Sequence, residues 1–370
     1  MTSQEETFGN EGEREPRSGD PEALLDWYAE VARDLPWRES GKAYRVVVSE
    51  FMLQQTRVET VRPRYREFLQ QFPTEKALAE AEEEEVLAAW SGLGYYRRAR
   101  HLWRAVRIVE ERGGWPESAE GLRELPGFGE YTAAAVASIV FGEAVAVLDG
   151  NVERVLSRWV GAEGNPKRAA VRRRLRRAAQ SWIDPDRPGD SNQALMELGA
   201  TVCRPRNPGC PVCPLRKECR ARREGRPEDY PRKEGKRPTV SIALQAVVSE
   251  TGGKILLFRR PEDSSLLAGL WELPLVEAGT SGETAVLEEA LRDRYGGSWS
   301  VSEKVASVRH GITYRRMEVE IRRGAVELGD HERREGPDCR WVDPRELGSV
   351  PTSSLVGKIL DAVEKAEGAM

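Results

Sequence analysis

The sequence predicts a multidomain protein: an all-α domain of about two hundred residues, then a small α+β domain. Three observations carry that expectation. Apolar residues recur at three- and four-residue spacing from about Asp20 to Arg220. A polar, proline-bearing stretch without periodicity covers residues 221–238. Beyond it the period shortens to that of strands. With 370 residues, 39% of them hydrophobic, the chain can bury a core in each of two domains.

In chain order, residues 1–19 are polar and acid-rich with almost nothing apolar, which predicts a disordered acidic tail. Helices are expected over Pro21–Arg33, Tyr44–Gln55, Tyr95–Glu111, Tyr131–Phe141, Asn151–Val160, Lys167–Trp182 and Ser191–Val202, with glycine and proline between them. Residues 221–238 read as an interdomain linker. After it, Val240–Val248, Lys254–Phe258, Glu303–Val308 and Tyr314–Ile321 have the pattern of strands. Glu283–Tyr295 and Ser353–Ala366 have that of helices, giving a second domain over 239–370. No internal repeat is visible.

Composition excludes some classes. Charged residues make up 32% of the chain, and a mean hydropathy of -0.58 argues against an integral membrane protein. The most apolar stretch, Tyr131–Leu148, is interrupted by Gly142 and Glu143 and is too short to span a bilayer. Residues 1–20 lack the apolar core of a signal peptide, so the expected address is the cytoplasm. The net charge of -4 does not announce a nucleic-acid partner, but its distribution is uneven. Basic residues collect over Arg97–Arg107, in Arg172–Arg174 with Arg176 and Arg177, and from Arg204 through Arg237. Each run alone is explained by a solvated helix face; three in one half of the chain point to a polyanion.

Four constellations carry candidate chemistry. In Ser49–Thr56, helical spacing puts Glu50 on the apolar stripe, where a carboxyl group has its charged form disfavoured and is suited to donate a proton. A boundary glutamate reaching solvent is the plainer alternative. In Leu125-Pro126-Gly127-Phe128-Gly129, two glycines between helices allow close backbone approach. They also leave the next helix's first N–H groups facing an anion, as in a hairpin that grips a DNA phosphate. Asp149 stands where a helix begins, which suits an N-cap; it also suits a fixed carboxylate that, with Glu50, flanks a glycosidic bond and stabilises a cationic sugar. Finally, Cys203, Cys210, Cys213 and Cys219 crowd into a C-x6-C-x2-C-x5-C pattern, with Cys339 far away. Too few for a disulfide scaffold, they indicate a metal site, either zinc or an iron–sulfur cluster, among arginines suited to a phosphate backbone.

Taken together, LPWR (Leu35–Arg38), SEFMLQQTRVETV, WSGLGYYRRARHL (Trp90–Leu102), LPGFGEYTAAA, VLDGNVERVLSR, NQALMELGA (Asn192–Ala200) and the cysteine spacing follow one another in order. This set resembles the MutY family of adenine DNA glycosylases, in the helix–hairpin–helix superfamily that includes endonuclease III. The likeness is dense over about 200 residues and looser in the C-terminal domain. It implies a helix–hairpin–helix glycosylase domain over 20–220 and a 4Fe–4S cluster on the four cysteines of loop 203–219. It implies double-stranded DNA as partner, with adenine opposite 8-oxoguanine or guanine flipped out and hydrolysed from its sugar. Glu50 would protonate adenine at N7 and then serve the water, Asp149 would stabilise the sugar cation, and Tyr131 and Asn151 would line the pocket. Trp37, Arg38, Gln55 and Gln193 match positions around the flipped base. Leu93 and Tyr95 match the stretch that wedges beside 8-oxoguanine, and Leu125, Gly127 and Gly129 form the phosphate-gripping hairpin.

Family members that also cut the strand carry a lysine just after the hairpin, where Tyr131 stands here, so the resemblance implies a monofunctional glycosylase. The C-terminal domain resembles a NUDIX-like 8-oxoguanine reader through Gly269–Pro274, without the glutamate box that binds magnesium. Its recognition loop would be His310, Gly311, Ile312, Thr313 and Tyr314, where the family's usual pattern has phenylalanine for Ile312 and histidine for Tyr314. A monomer with no membrane partner is expected. Competing readings are a related glycosylase acting on T or U opposite G, a catalytically silent DNA-binding module, and a nucleotide hydrolase, the last lacking its magnesium box.

Overall fold

A computed structural model of the chain describes residues 19–39, 41–232, 235, 238–278, 284–329 and 339–368. The tail expected over 1–19 lies outside the described residues apart from Gly19. Helices come first: α1 (Pro21–Val31), α2 (Ala43–Leu53), α3 (Val58–Gln71), α4 (Glu75–Glu80), α5 (Glu83–Ala89), α6 (Arg97–Arg112), α7 (Ala119–Leu122), α8 (Glu130–Phe141), α9 (Gly150–Val160), α10 (Ala169–Gln180), α11 (Pro188–Thr201) and α12 (Arg220–Arg223). Helices α2 and α6 each stop short of their apolar pattern at one end. Gln55 has φ 58° and Tyr95 φ 49°, so α2 stops before the first and α6 starts after the second.

The chain forms two compact units that do not follow sequence order, Met1–Phe51 with Arg112–Gly235, and Met52–Glu111 with Lys236–Met370. In the first, Leu24, Val152, Leu156, Leu175, Leu195 and Leu198 are wholly buried, and Trp159 meets Trp182 edge-on at 5.0 Å. Part of 221–238 packs here as well. Tyr230 is buried, its hydroxyl donating to Glu224 at 2.8 Å and its carbonyl accepting from Arg158 Nε at 3.2 Å. Hydrogen bonds from charged groups order this segment, so no apolar period marks it.

In the second unit, α3–α6 pack with a sheet of seven strands: β1 (Val240–Thr251), β2 (Lys254–Arg259), β3 (Trp271–Glu272), β4 (Leu275–Glu277), β5 (Ser298–Ile312), β6 (Arg315–Glu327) and β7 (Cys339–Val342). The order is β3-β2-β1-β6-β5, with β4 also on β1 and β7 on β2. Strand β1 runs parallel to β6 and is covered on both faces. Leu244, Ala246 and Val248 turn to α14 (Ser354–Glu367), while Val247 turns to Leu287 and Leu291 of α13 (Thr284–Tyr295), as a period of two requires. Strand β5 begins five residues before its expected start. Register shifts between Val301 and Ala306 bulge it and break the alternation that would mark its first half. Helices and sheet join through Trp271 Nε1, which donates to Glu84 at 3.0 Å, and through the Tyr96 hydroxyl, which donates to Thr352 O at 2.8 Å.

Candidate functional site

The first unit gathers Glu50, Tyr131, Asp149 and Asn151. Helix α2 turns Glu50 inward, leaving it 5% exposed with Oε2 lacking any hydrogen-bond partner. Burial raises its pKa from 4.5 to about 7; the Asp149 charge adds to this, while a hydrogen-bonding interaction with Tyr131 and the charge of Arg38 oppose it. The Tyr131 hydroxyl donates to Met196 Sδ at 3.3 Å, and burial, followed by Glu50 and Asp149, holds its pKa well above the ordinary tyrosine value.

Asp149 caps a helix, the first of its two expected purposes. Its Oδ1 accepts from the N–H groups of Asn151 at 3.0 Å and Val152 at 2.7 Å, capping α9. Oδ2 accepts from Asn151 Nδ2 at 3.2 Å, and Arg154 Nη2 donates to Asn151 Oδ1 at 2.9 Å. Burial raises the Asp149 pKa against these donors. The site therefore holds a carboxyl group with one orphaned oxygen beside a carboxylate that accepts three hydrogen bonds.

Trp37, Arg38 and Gln193 belong to the same unit. Trp37 is buried. Arg38 is committed to Glu197 Oε2 at 2.9 Å and to Arg33 O at 2.9 Å, and lies over the Tyr28 ring. Glu197 is 1% exposed. Burial pushes its pKa up, but hydrogen bonds from Arg33 and Arg38 outweigh this and the net shift is downward. Gln193 lies on α11, half-buried.

In the hairpin, Leu125 is buried and Gly127 takes φ 80°. Gly129 opens α8 without a side-chain cap, and a Cβ there would meet nothing within 4 Å. Packing does not demand glycine at 129. Its absent side chain leaves open the approach to the helix's first turn.

Gln55, Leu93 and Tyr95 belong to the second unit, where they line a groove of about 990 Å³ with His310, Ile312 and Thr313. Tyr314 lies outside it, in an adjoining polar hollow with Arg309 and Arg316. Thr313 and Tyr314 form a two-residue turn closed by the Ile312–Arg315 pair, with Thr313 at φ 57°. His310 is buried, its Nδ1 without a partner, and burial followed by the Lys358 charge lowers its pKa. Of five described non-glycine residues with positive φ, four line this groove: Gln55, Tyr95, Leu267 and Thr313. Each costs on the order of 1–3 kcal/mol, a strain that folds retain where a site requires it.

Three contributors here were not foreseen in the sequence. Leu267 and its loop have no motif. Arg98 and Arg100 on α6 looked like part of a basic face yet are each 8% exposed. Arg100 bonds Glu83 Oε1 and pairs with Glu262 at 3.5 Å.

The four cysteines line one hollow with Arg158, Arg216 and Arg222. None forms a disulfide. Arg158 Nη1 donates to Cys203 Sγ at 3.3 Å and to Arg204 O at 2.7 Å. Burial holds the Cys213 thiol at about 12 and raises that of Cys219. Among the described residues, no three Cys, His, Asp or Glu side chains converge tightly enough for a single metal ion. No helix there is long and apolar enough to cross a membrane.

The family model for HhH-GPD superfamily base excision DNA repair proteins matches residues 48–181, and that for the NUDIX domain matches 245–362. The first span contains Glu50, the hairpin and Asp149. The adenine DNA glycosylase of Homo sapiens is 37% identical over 91% of this chain and 72% of that protein. That of Mycolicibacterium smegmatis is 44% identical over 56% of this chain and 71% of that protein. Among solved structures, a thermostable thymine-DNA glycosylase superposes with a TM-score of 0.50 at 27% identity, covering 55% of this chain and 95% of that one. On its 37% identity with a relative covered to 72% of its length, and with an inward-facing glutamate inside the matched helical span, this chain belongs to the adenine DNA glycosylases.

Proposed function

We propose that the protein removes adenine from duplex DNA where it lies opposite 8-oxoguanine or guanine, hydrolysing the N-glycosidic bond without cutting the strand. The observation that carries this reading is Glu50: buried, with Oε2 orphaned and a pKa raised to about 7, it keeps its proton in a substantial share of molecules at neutral pH. An extruded adenine would accept that proton at N7 as its bond to the sugar breaks. The Asp149 carboxylate faces the positive charge that develops on the sugar. Glu50, now ionised, takes a proton from the water that completes hydrolysis. Tyr131 has no amine with which to form a Schiff base, so the abasic product leaves intact. Uncapped α8 would seat a phosphate, and the groove would take the base opposite adenine.

We further infer that Cys203, Cys210, Cys213 and Cys219 hold a 4Fe–4S cluster. The four thiols line one hollow, and their C-x6-C-x2-C-x5-C spacing departs from the paired C-x2-C knuckles of most structural zinc sites. Bound there, the cluster would fix the arginine-rich loop, and Arg158, which donates to Cys203 Sγ, would offset part of the negative charge of the four thiolates. Cys213→Ser is expected to lose both the bound iron and the cluster's visible absorbance, and to weaken duplex binding. Full iron content in that variant would refute the ligand set. In the same reading, 20–220 is the glycosylase domain, 221–238 the connection and 239–370 the lesion reader, acting as a cytoplasmic monomer.

Single-turnover base release from duplexes with A opposite 8-oxoguanine, A opposite G and T opposite G tests the function. Breakage at adenine only after alkali, fastest opposite 8-oxoguanine, is the expected result. Equal rates opposite G and 8-oxoguanine would remove the reader role. Release of thymine instead would assign the site to the other glycosylase class.

Because Glu50 must be protonated, the single-turnover rate should fall about tenfold per pH unit above a pH near 7. A rate that stays flat to pH 9 would exclude Glu50 as the acid.

A further inference from the structure

We propose that Arg98 is a positioning residue for recognition of the base opposite the target. By this assignment, its guanidinium binds the turn after α2 to the turn before α6 and so presents Gln55 and Tyr95 together. The inference rests on the groove being the seat of that base.

The two turns are distant in sequence and both are strained: Gln55 has φ 58° and Tyr95 φ 49°. Both side chains are exposed, Tyr95 by 46%, so burial of their own surface does not hold them there. Arg98 does. Its Nη1 donates to the carbonyls of Met52, at 2.9 Å, and Gln54. Its Nη2 donates to the carbonyls of Leu93 at 2.9 Å and Gly94 at 3.0 Å, and to Thr56 Oγ1 at 3.0 Å. One nitrogen thus satisfies the end of α2 and the other mainly the Gly-Leu-Gly turn. The plane also lies over the rings of Trp90 at 5.5 Å and Tyr95 at 5.4 Å. Trp90 Nε1 donates to the same Gly94 carbonyl at 3.2 Å.

Only a planar fork serves five acceptors on two segments and stacks on aromatic rings at once; an ammonium is a point charge with three donors. Arg98→Lys therefore keeps the charge and loses the tie.

A double-mutant cycle tests the assignment in the full-length protein. Single-turnover adenine release would be measured opposite 8-oxoguanine and opposite an abasic site, which offers the groove no base. Tyr95→Ala and Arg98→Lys should each lower the ratio of the two rates about tenfold, the size of one lost base–aromatic stack. The double variant should lower it no further, because the lysine acts through Tyr95. For Arg98→Lys, the rate opposite the abasic site should stay near wild type, which general damage to the fold would not allow. Multiplying effects in the double variant, or equal losses on both substrates, would overturn the proposal. Arg98→Gln in place of Arg98→Lys gives a second cycle with the same expectation, should the first variant fold poorly. If the wild-type chain released no adenine from any duplex, the functional reading itself would fall, a result distinct from additivity.

Discussion

Glu50→Gln is expected to stop base release almost completely while making the folded protein more stable above neutral pH. The amide keeps the shape of the side chain and removes the transferable proton, so the single-turnover rate should fall about 10³-fold or more with duplex binding intact. The stability gain follows from linkage. A buried carboxyl with a pKa raised from 4.5 to about 7 retains a proton that the unfolded chain has already released. Between those values the native state binds more protons, so wild-type stability falls as pH rises through this window and then levels off. The full cost is about 3 kcal/mol at 1.36 kcal/mol per pKa unit. Urea unfolding at pH 8 should show the glutamine variant more stable by up to about that amount, with the difference shrinking towards pH 4.5. A variant less stable than wild type at pH 8 would mean that Glu50 is an ordinary structural carboxylate.

The second large effect separates the two uses of Asp149. Asparagine is nearly as good an N-cap as aspartate, so Asp149→Asn should change stability little. Asp149→Ala removes the bonds to Asn151 and Val152 and should cost about 1–2 kcal/mol. In catalysis the order differs. Both variants lose the charge that faces the sugar cation, and both should slow single-turnover release by about 10²–10³-fold, the usual size for one preorganised electrostatic partner. Wild-type rates in Asp149→Asn would reduce Asp149 to a cap.

These two residues also show what was legible from the chain alone. Glu50 stands on an apolar stripe at helical spacing and Asp149 immediately precedes an apolar-periodic run, so the sequence places both on their elements. Neither fact says that they meet. Their convergence depends on α2, α8 and α9 packing in one unit, which brings together residues about a hundred positions apart. The cysteines were legible as a set through short spacing, but whether they converge on one ion or ring a hollow is a three-dimensional property.

The groove was the least legible part. Its wall residues come from five separate stretches, around Gln55, Gly92–Arg104, Glu262–Ala268, His310–Arg315 and Ser353–Ser354. Arg98 and Arg100 were hidden because a basic run on a helix ordinarily faces solvent, whereas here two of its guanidinium groups are drawn inward by orphaned carbonyls and by Glu83 and Glu262. By itself, the sequence determined the helical and strand periods, the capping aspartate, the buried acid and the cysteine set, all consequences of local spacing. Only the tertiary structure decided that residues 52–111 pack with the sheet. It also decided that Tyr314 lies outside the groove that Thr313 faces, and that strained Gln55 and Tyr95 are presented together. Those outcomes depend on hydrogen bonds between distant segments, which leave no period in the chain.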